Sequence, residues 1–174
     1  MRRFLRDDNR QMFSGYFSED KELTFTGDGA TVATPIFTVT GAVRVLGLWG
    51  FVTTAFGVNH TAAHWRINDQ TATDQVITAA AGTDLSAISL GAFIVKDGLA
   101  AAALTYKTAD AASLLEPTTL QTSIFSPFVV VQKTGDIQTD IEYVYTTSDS
   151  PTSGAMMFSI GFVPLSPDGD ITAS

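Results

Sequence analysis

The chain has 174 residues and a mass of 18.5 kDa, enough for one domain with a proper core. Hydrophobic residues make up 45%, which excludes disordered and collagen-like classes, and the lack of cysteine excludes a disulfide framework, a thiolate zinc site and a cysteine nucleophile. A formal net charge of −8 with only 16% charged residues argues against binding naked nucleic acid, which demands a basic face.

The first 22 residues differ in style from the rest. They hold Arg2, Arg3, Arg6, Arg10 and Lys21 against Asp7, Asp8, Glu19, Asp20 and Glu22, so all of the net negative charge falls in residues 23–174. They also carry Phe4, Leu5, Met12, Phe13, Tyr16 and Phe17, large apolar groups that gain roughly 1.5–3 kcal/mol each on full burial. The reading is an N-terminal arm over 1–22 and a single domain over 23–174, with the arm docked on a partner, another subunit or its own domain. Arg2 and Arg3 start like a signal peptide, but Asp7, Asp8, Asn9 and Arg10 stand where an apolar stretch is needed. No segment approaches the roughly 20 apolar residues of a membrane span. The expectation is a protein with no membrane partner that is cytosolic or leaves its cell by another route.

The domain reads as strands with turns between them. Gly27, Asp28 and Gly29 mark a turn ahead of residues 36–54, a β-branched and aromatic run. Strict alternation puts Val43, Val45, Trp49 and Phe51 on one face and Ala42, Arg44, Leu46, Leu48 and Val52 on the other. Gly41, Gly47 and Gly50 interrupt this run, so it is expected to bend, carry a bulge and contribute to two sheets. Shorter strands are expected at 63–68, 75–79, 90–96 and 102–107. Helical signal is thin, at 99–103, at 109–115 before Pro117, and in the arm. Residues 126–147 read as a hairpin turning at Thr134, Gly135 and Asp136. Its second strand alternates Ile137, Thr139, Ile141, Tyr143 and Tyr145 with Gln138, Asp140 and Glu142, which predicts one exposed face. Residues 155–163 form a last strand, stopped by Pro164 and Pro167, followed by a polar tail with Asp168 and Asp170. This pattern predicts an all-β, antiparallel β-sandwich with jelly-roll-like character, an N-terminal arm and little helix.

Chemical signatures are scarce. His60 and His64, four residues apart, are the only histidines; with only Asp69 nearby as a third ligand, a solvated loop or strand-end pair is the favoured reading over a metal site. There is no GxSxG or SxxK serine motif and no phosphate-binding glycine loop. Asp140 with Glu142 reads as a solvated strand face, and Asp168 with Asp170 lacks the ligands of a calcium loop. Trp49 and Trp65 could stack on a sugar, but both sit in strand-like runs where a core or interface role is favoured. No catalytic, cofactor-binding or metal residue is assigned, and no enzymatic activity is expected.

Segments 39–55 (VTGAVRVLGLWGFVTTA), 79–95, 134–137 (TGDI) and 146–166 (TTSDSPTSGAMMFSIGFVPLS) resemble a group of small β-sandwich virion proteins of tailed bacteriophages. In that group an ITG-to-VTTA strand opens the sandwich, a Pro-Gly turn precedes the penultimate strand and a TTGA-to-YVPLS segment closes it. The closing pattern is met by Ser153, Gly154, Ala155, Phe158, Phe162, Val163, Pro164, Leu165 and Ser166; Thr134 replaces the turn proline, and the N-terminal arm is longer. The resemblance implies a non-enzymatic capsid decoration or cement protein, made in the host cytoplasm and placed on the capsid exterior. Its implied partners are the major capsid protein and itself, as a homotrimer; a head-fibre or tail component is the alternative, and a carbohydrate-binding module a more distant one. The contact residues expected on the combined reading are Arg2, Arg3, Phe4, Leu5, Arg6, Arg10, Phe13, Tyr16, Phe17 and Trp49, together with the strand at 137–147. A low charge density also favours subunit contacts, because an isolated subunit needs more charged surface.

Overall fold

A computed structural model describes residues 11–13, 16–25, 30–57, 59–70, 74–96, 98, 102–107, 127–134, 138–147 and 153–174. Among them the regular elements are strands: β1 (Gln11–Phe13), β2 (Tyr16–Thr24), β3 (Thr31–Thr40), β4 (Ala42–Thr54), β5 (Thr61–Asn68), β6 (Gln75–Val76), β7 (Phe93–Val95), β8 (Thr105–Lys107), β9 (Phe128–Val131), β10 (Thr139–Thr146), β11 (Ala155–Pro164) and β12 (Asp170–Ala173). They form two antiparallel sheets packed face to face, a β-sandwich. The seven-stranded sheet runs β1-β2-β11-β4-β7-β8, with β9 also paired to β4; the five-stranded sheet runs β12-β3-β10-β5-β6.

Alternation along each strand fills the space between the sheets. Val43, Val45, Leu48, Val52, Ile94, Met156, Phe158, Ile160 and Phe162 come from the larger sheet. Phe37, Val39, Trp65, Ile141, Tyr143, Tyr145 and Ile171 come from the smaller. Full burial of such side chains contributes roughly 1.5–3 kcal/mol each and is the main force holding the sheets together. Gly50 makes room inside this layer, because a Cβ there would stand 2.4 Å from the Met156 sulfur.

The long run at 36–54 does divide between two sheets, and Gly41 is the joint. Its φ of +59° suits glycine and turns the chain from β3 in the smaller sheet to β4 in the larger. The Gly41 amide donates to Gln132 Oε1, and the Ala42 amide donates to Ser166 Oγ, so the corner is fixed by two distant segments.

The faces assigned to β4 need correction. Gly161 pairs with Gly47 while Phe162 pairs with Val45, leaving Leu46 as an extra residue in β4. This bulge inverts the alternation beyond it. Val43 and Val45 point inward as expected, but from there Leu48, Gly50 and Val52 take the inner positions, and Trp49 and Phe51 lie outside with Arg44.

Residues 126–147 are not a hairpin. β9 pairs with β4 in the larger sheet, whereas β10 is the centre of the smaller sheet between β3 and β5. The expected turn at Gly135 and Asp136 lies outside the described residues, as does the Gly27–Gly29 turn. Nor is β10 half exposed. Its polar face is covered by partners from both neighbours: Thr38 donates to Asp140 at 2.7 Å, and Arg66 Nε and Asn68 donate to Glu142 at 2.7 and 2.9 Å. Alternating carboxylates thus look solvated in sequence but are paired and buried in the sheet.

The boundary after residue 22 falls inside β2, which pairs with β11 from Phe17 to Thr24. Phe17 stacks on Phe162 with ring centroids 5.7 Å apart, and Leu23 packs on the core, so residues 16–22 are sheet rather than arm. The composition shift there falls inside a strand paired on both sides, to β1 and to β11. The residues after Pro167 are likewise no loose tail, since β12 pairs with β3 from Asp170 to Ala173. Of the suggested helices, 99–101 and 109–115 lie outside the described residues, and 102 and 103 are not helical.

Candidate interaction surface

Antiparallel register places directly opposed residues on the same face. Across the larger sheet this gives continuous rows on the side away from the core. One row runs Glu22, Met157, Phe51, Phe93, Lys107 over β2, β11, β4, β7 and β8. The next runs Asp20, Ser159, Trp49, Val95, Thr105 over the same strands. Phe51 is 46% exposed, Met157, Phe93 and Trp49 are half-buried, and Glu22 and Lys107 are exposed, whereas Ser159 and Val95 in the second row are buried. Further along, Arg44 stands between Val163 and Val129, and Val129 and Val131 are more than half exposed. An aromatic and aliphatic centre with charges at its margins is the composition of a protein–protein interface rather than of ordinary solvated surface.

Trp49 is the one expected contact residue that the structure places on this face. Its indole lies against the bare backbone of Gly161, where a Cβ would stand 4.0 Å from the ring. Phe17 faces the core instead. Phe13 is in β1 and Tyr16 in β2, at the edge of the same sheet. Arg2, Arg3, Phe4, Leu5, Arg6 and Arg10 lie outside the described residues. The strand 139–146, expected as a second contact face, is buried as described above. Phe51, Met157, Phe93, Glu22 and Lys107 were not legible as one site, because the strands that align them are far apart in sequence and the β4 bulge reverses the apparent face of Phe51.

The two histidines do not form the solvated pair expected from their spacing. His60 is fully buried in an aromatic cluster with Phe25, Phe56, Tyr143 and Tyr145, and its ring stacks on Tyr145 at 4.6 Å. Nε2 of His60 is 2.8 Å from the Tyr143 hydroxyl. Burial lowers the His60 pKa to about 4, with the Asp84 charge opposing in part, and burial raises that of Tyr143. His64 instead bonds its Nδ1 to the Ala62 carbonyl at 2.8 Å. Both members of the His60–Tyr143 pair have no exposed surface, so the pair joins β10 to the turn before β5 and presents nothing to solvent. Among the described residues no cluster of three or more histidine, aspartate or glutamate side chains is arranged to hold a metal ion. Trp65 is fully buried and cannot stack on a sugar; only Trp49 keeps that option.

No protein-family model matches this chain, and no curated protein or solved structure matches it significantly.

Proposed function

We propose that the chain is a structural protein of a tailed-bacteriophage virion, of the decoration or cement type, which binds the outer face of the capsid shell and stabilises it without catalysis. The observation that carries this reading is the placement of the segments that resemble such proteins. Of the four resembling segments, 39–55 and 146–166 lie against each other along β4 and β11, and 79–95 joins them through β7, while most of 134–137 lies outside the described residues. At one end the Leu165 amide donates to the Ala42 carbonyl at 2.8 Å; at the other the Gly57 amide donates to the Ser153 carbonyl at 2.8 Å. The shared pattern is therefore a pattern of one architectural unit, and the outer face of that unit carries the apolar patch. A binding role also fits a patch whose centre is Met157, Phe51, Phe93 and Trp49, with its charges at the margins.

Copy number decides between the leading reading and a head-fibre or tail role. Purified particles should contain this chain in amounts comparable to the shell protein, and particles lacking it should lose DNA at lower temperature. A few copies per particle, or undecorated shells of equal heat resistance, would move the assignment to a fibre or tail component. Trp49 on an outer face keeps a carbohydrate-binding reading as the second alternative, which a glycan array addresses directly.

A further inference from the structure

Strand β2 carries charge on the side where a sandwich needs apolar groups. Glu19 and Lys21 stand directly opposite Ile160 and Phe158 of β11, both fully buried, so they share the core side of the larger sheet with Phe17 and Leu23. Glu19 is 7% exposed and Lys21 is half-buried. Both side chains reach across to the smaller sheet, at the strand that ends it. The Ala173 amide of β12 donates to Glu19 Oε1 at 3.2 Å, and Lys21 Nζ donates to the Ser174 carbonyl.

The position of the Ala173 amide gives this contact its meaning. β12 is the end strand of the smaller sheet and pairs with β3. In an antiparallel ladder alternate residues turn their backbone groups toward the partner strand and away from it. The Ser174 amide donates to the Ile36 carbonyl of β3 at 3.1 Å, so Ala173 and Ile171 turn their N–H groups outward. These are the two donors that an added strand would use, and both are taken. Glu19 accepts from Ala173, and the Asp170 carboxylate accepts from Ile171 at 2.9 Å. We infer that Glu19 and Lys21 form a clamp between the sheets that holds β12 against β3 and closes the β12 edge to strand addition by another chain. Inward-pointing charges are one of the ways in which natural sheets blunt an edge. A carboxylate suits the task because it only accepts, and a bond to a charged acceptor is stronger than one to a neutral oxygen. With the clamp removed, β12 can leave β3, and the vacated edge fits the same strand from a second copy, an exchange of identical elements. The inference stands apart from the virion reading, since no capsid contact enters it.

The test compares the full-length wild type with Glu19→Ala and with Glu19→Gln, which keeps an acceptor oxygen at the same reach. Amide hydrogen exchange by NMR and sedimentation over a range of protein concentrations are the two readouts. In Glu19→Ala the Ala173 amide should exchange roughly tenfold faster than in the wild type, while the amides of the central strand β10 keep their protection. Its sedimenting mass should also rise with concentration beyond that of the wild type. Both readouts are differences from the wild type, so association through any other surface cancels. Glu19→Gln should match the wild type in both. Lys21→Met keeps the apolar stem and loses only the ammonium; it should loosen Ala173 in the same direction, which keeps the inference testable if the alanine variant does not fold. Unchanged Ala173 exchange in the variants, an unchanged sedimentation profile in Glu19→Ala, or equal acceleration across β10 would each overturn the inference. So would a glutamine variant as impaired as the alanine one.

Discussion

His60 and Tyr143 share a 2.8 Å hydrogen bond in a place where neither ring touches water. The contact links the turn before β5 to the central strand of the smaller sheet and sits among Phe25 and Phe56 from the larger sheet's side. A titratable group in such a place makes folding depend on pH.

With a folded pKa near 4 against 6.5 when unfolded, the unfolded chain binds more protons between those values. Stability from this group is therefore complete above about pH 6.5 and is lost as pH falls toward 4, by roughly 2–3 kcal/mol. Urea unfolding of wild type and His60→Phe at pH 7.5 and 4.5 should show a smaller acid loss in the variant. An equal loss in both would show that other groups dominate.

Tyr143→Phe leaves Nε2 of His60 buried without its partner and should cost about 1–3 kcal/mol at pH 7. Because the phenyl ring keeps the packing, an effect below about 0.5 kcal/mol by denaturant unfolding would mean that water replaces the hydroxyl.

Glu142 is 4% exposed and depends on Arg66 and Asn68. Arg66 also bridges to Asp74. Arg66→Met should cost about 3 kcal/mol by leaving a buried carboxylate short of its charge partner. The double variant Arg66→Met with Glu142→Leu should recover much of that loss, and a double variant as unstable as the single would locate the damage elsewhere.

Truncation separates the two parts of the supposed arm. Removing residues 1–10 should leave a folded β-protein by circular dichroism. Removing residues 1–22 takes most of β2, bares the edge of β11 and strips Phe17 from Phe162, and should yield aggregated or unfolded protein.

The fold class was readable because most strands announce themselves by β-branched runs between turn residues. A bend in the run at 36–54 was readable from its three glycines, though not that Gly41 is the joint, and 155–163 was readable as a strand ahead of its prolines. Partner choice was not. Nothing local in FVVV says that it pairs with β4 rather than with the strand that follows it, since pairing is set by where the whole core places each strand. Polar alternation in β10 misled for a related reason: Thr38, Arg66 and Asn68, which satisfy Asp140 and Glu142, come from strands over 70 residues away. Trp49 was expected to face a partner and does lie on the outer face of β4, yet the row to which it is adjacent emerges only once β2, β11, β4, β7 and β8 are side by side.

That same arrangement has a consequence for synthesis. β4, the apolar hub of the larger sheet, leaves the ribosome long before its neighbour β11, which follows about 110 residues later. At 5–20 residues per second the unfinished chain waits roughly 5–20 s with VRVLGLWGF unpaired on the β11 side. The smaller sheet waits too, because β3 and β5 meet only through β10. The smaller sheet cannot join β3 to β5 on a nascent chain shorter than about residue 146, nor the larger join β2 to β4 before about residue 164, and the window before those points is when an expressing cell's chaperones matter most.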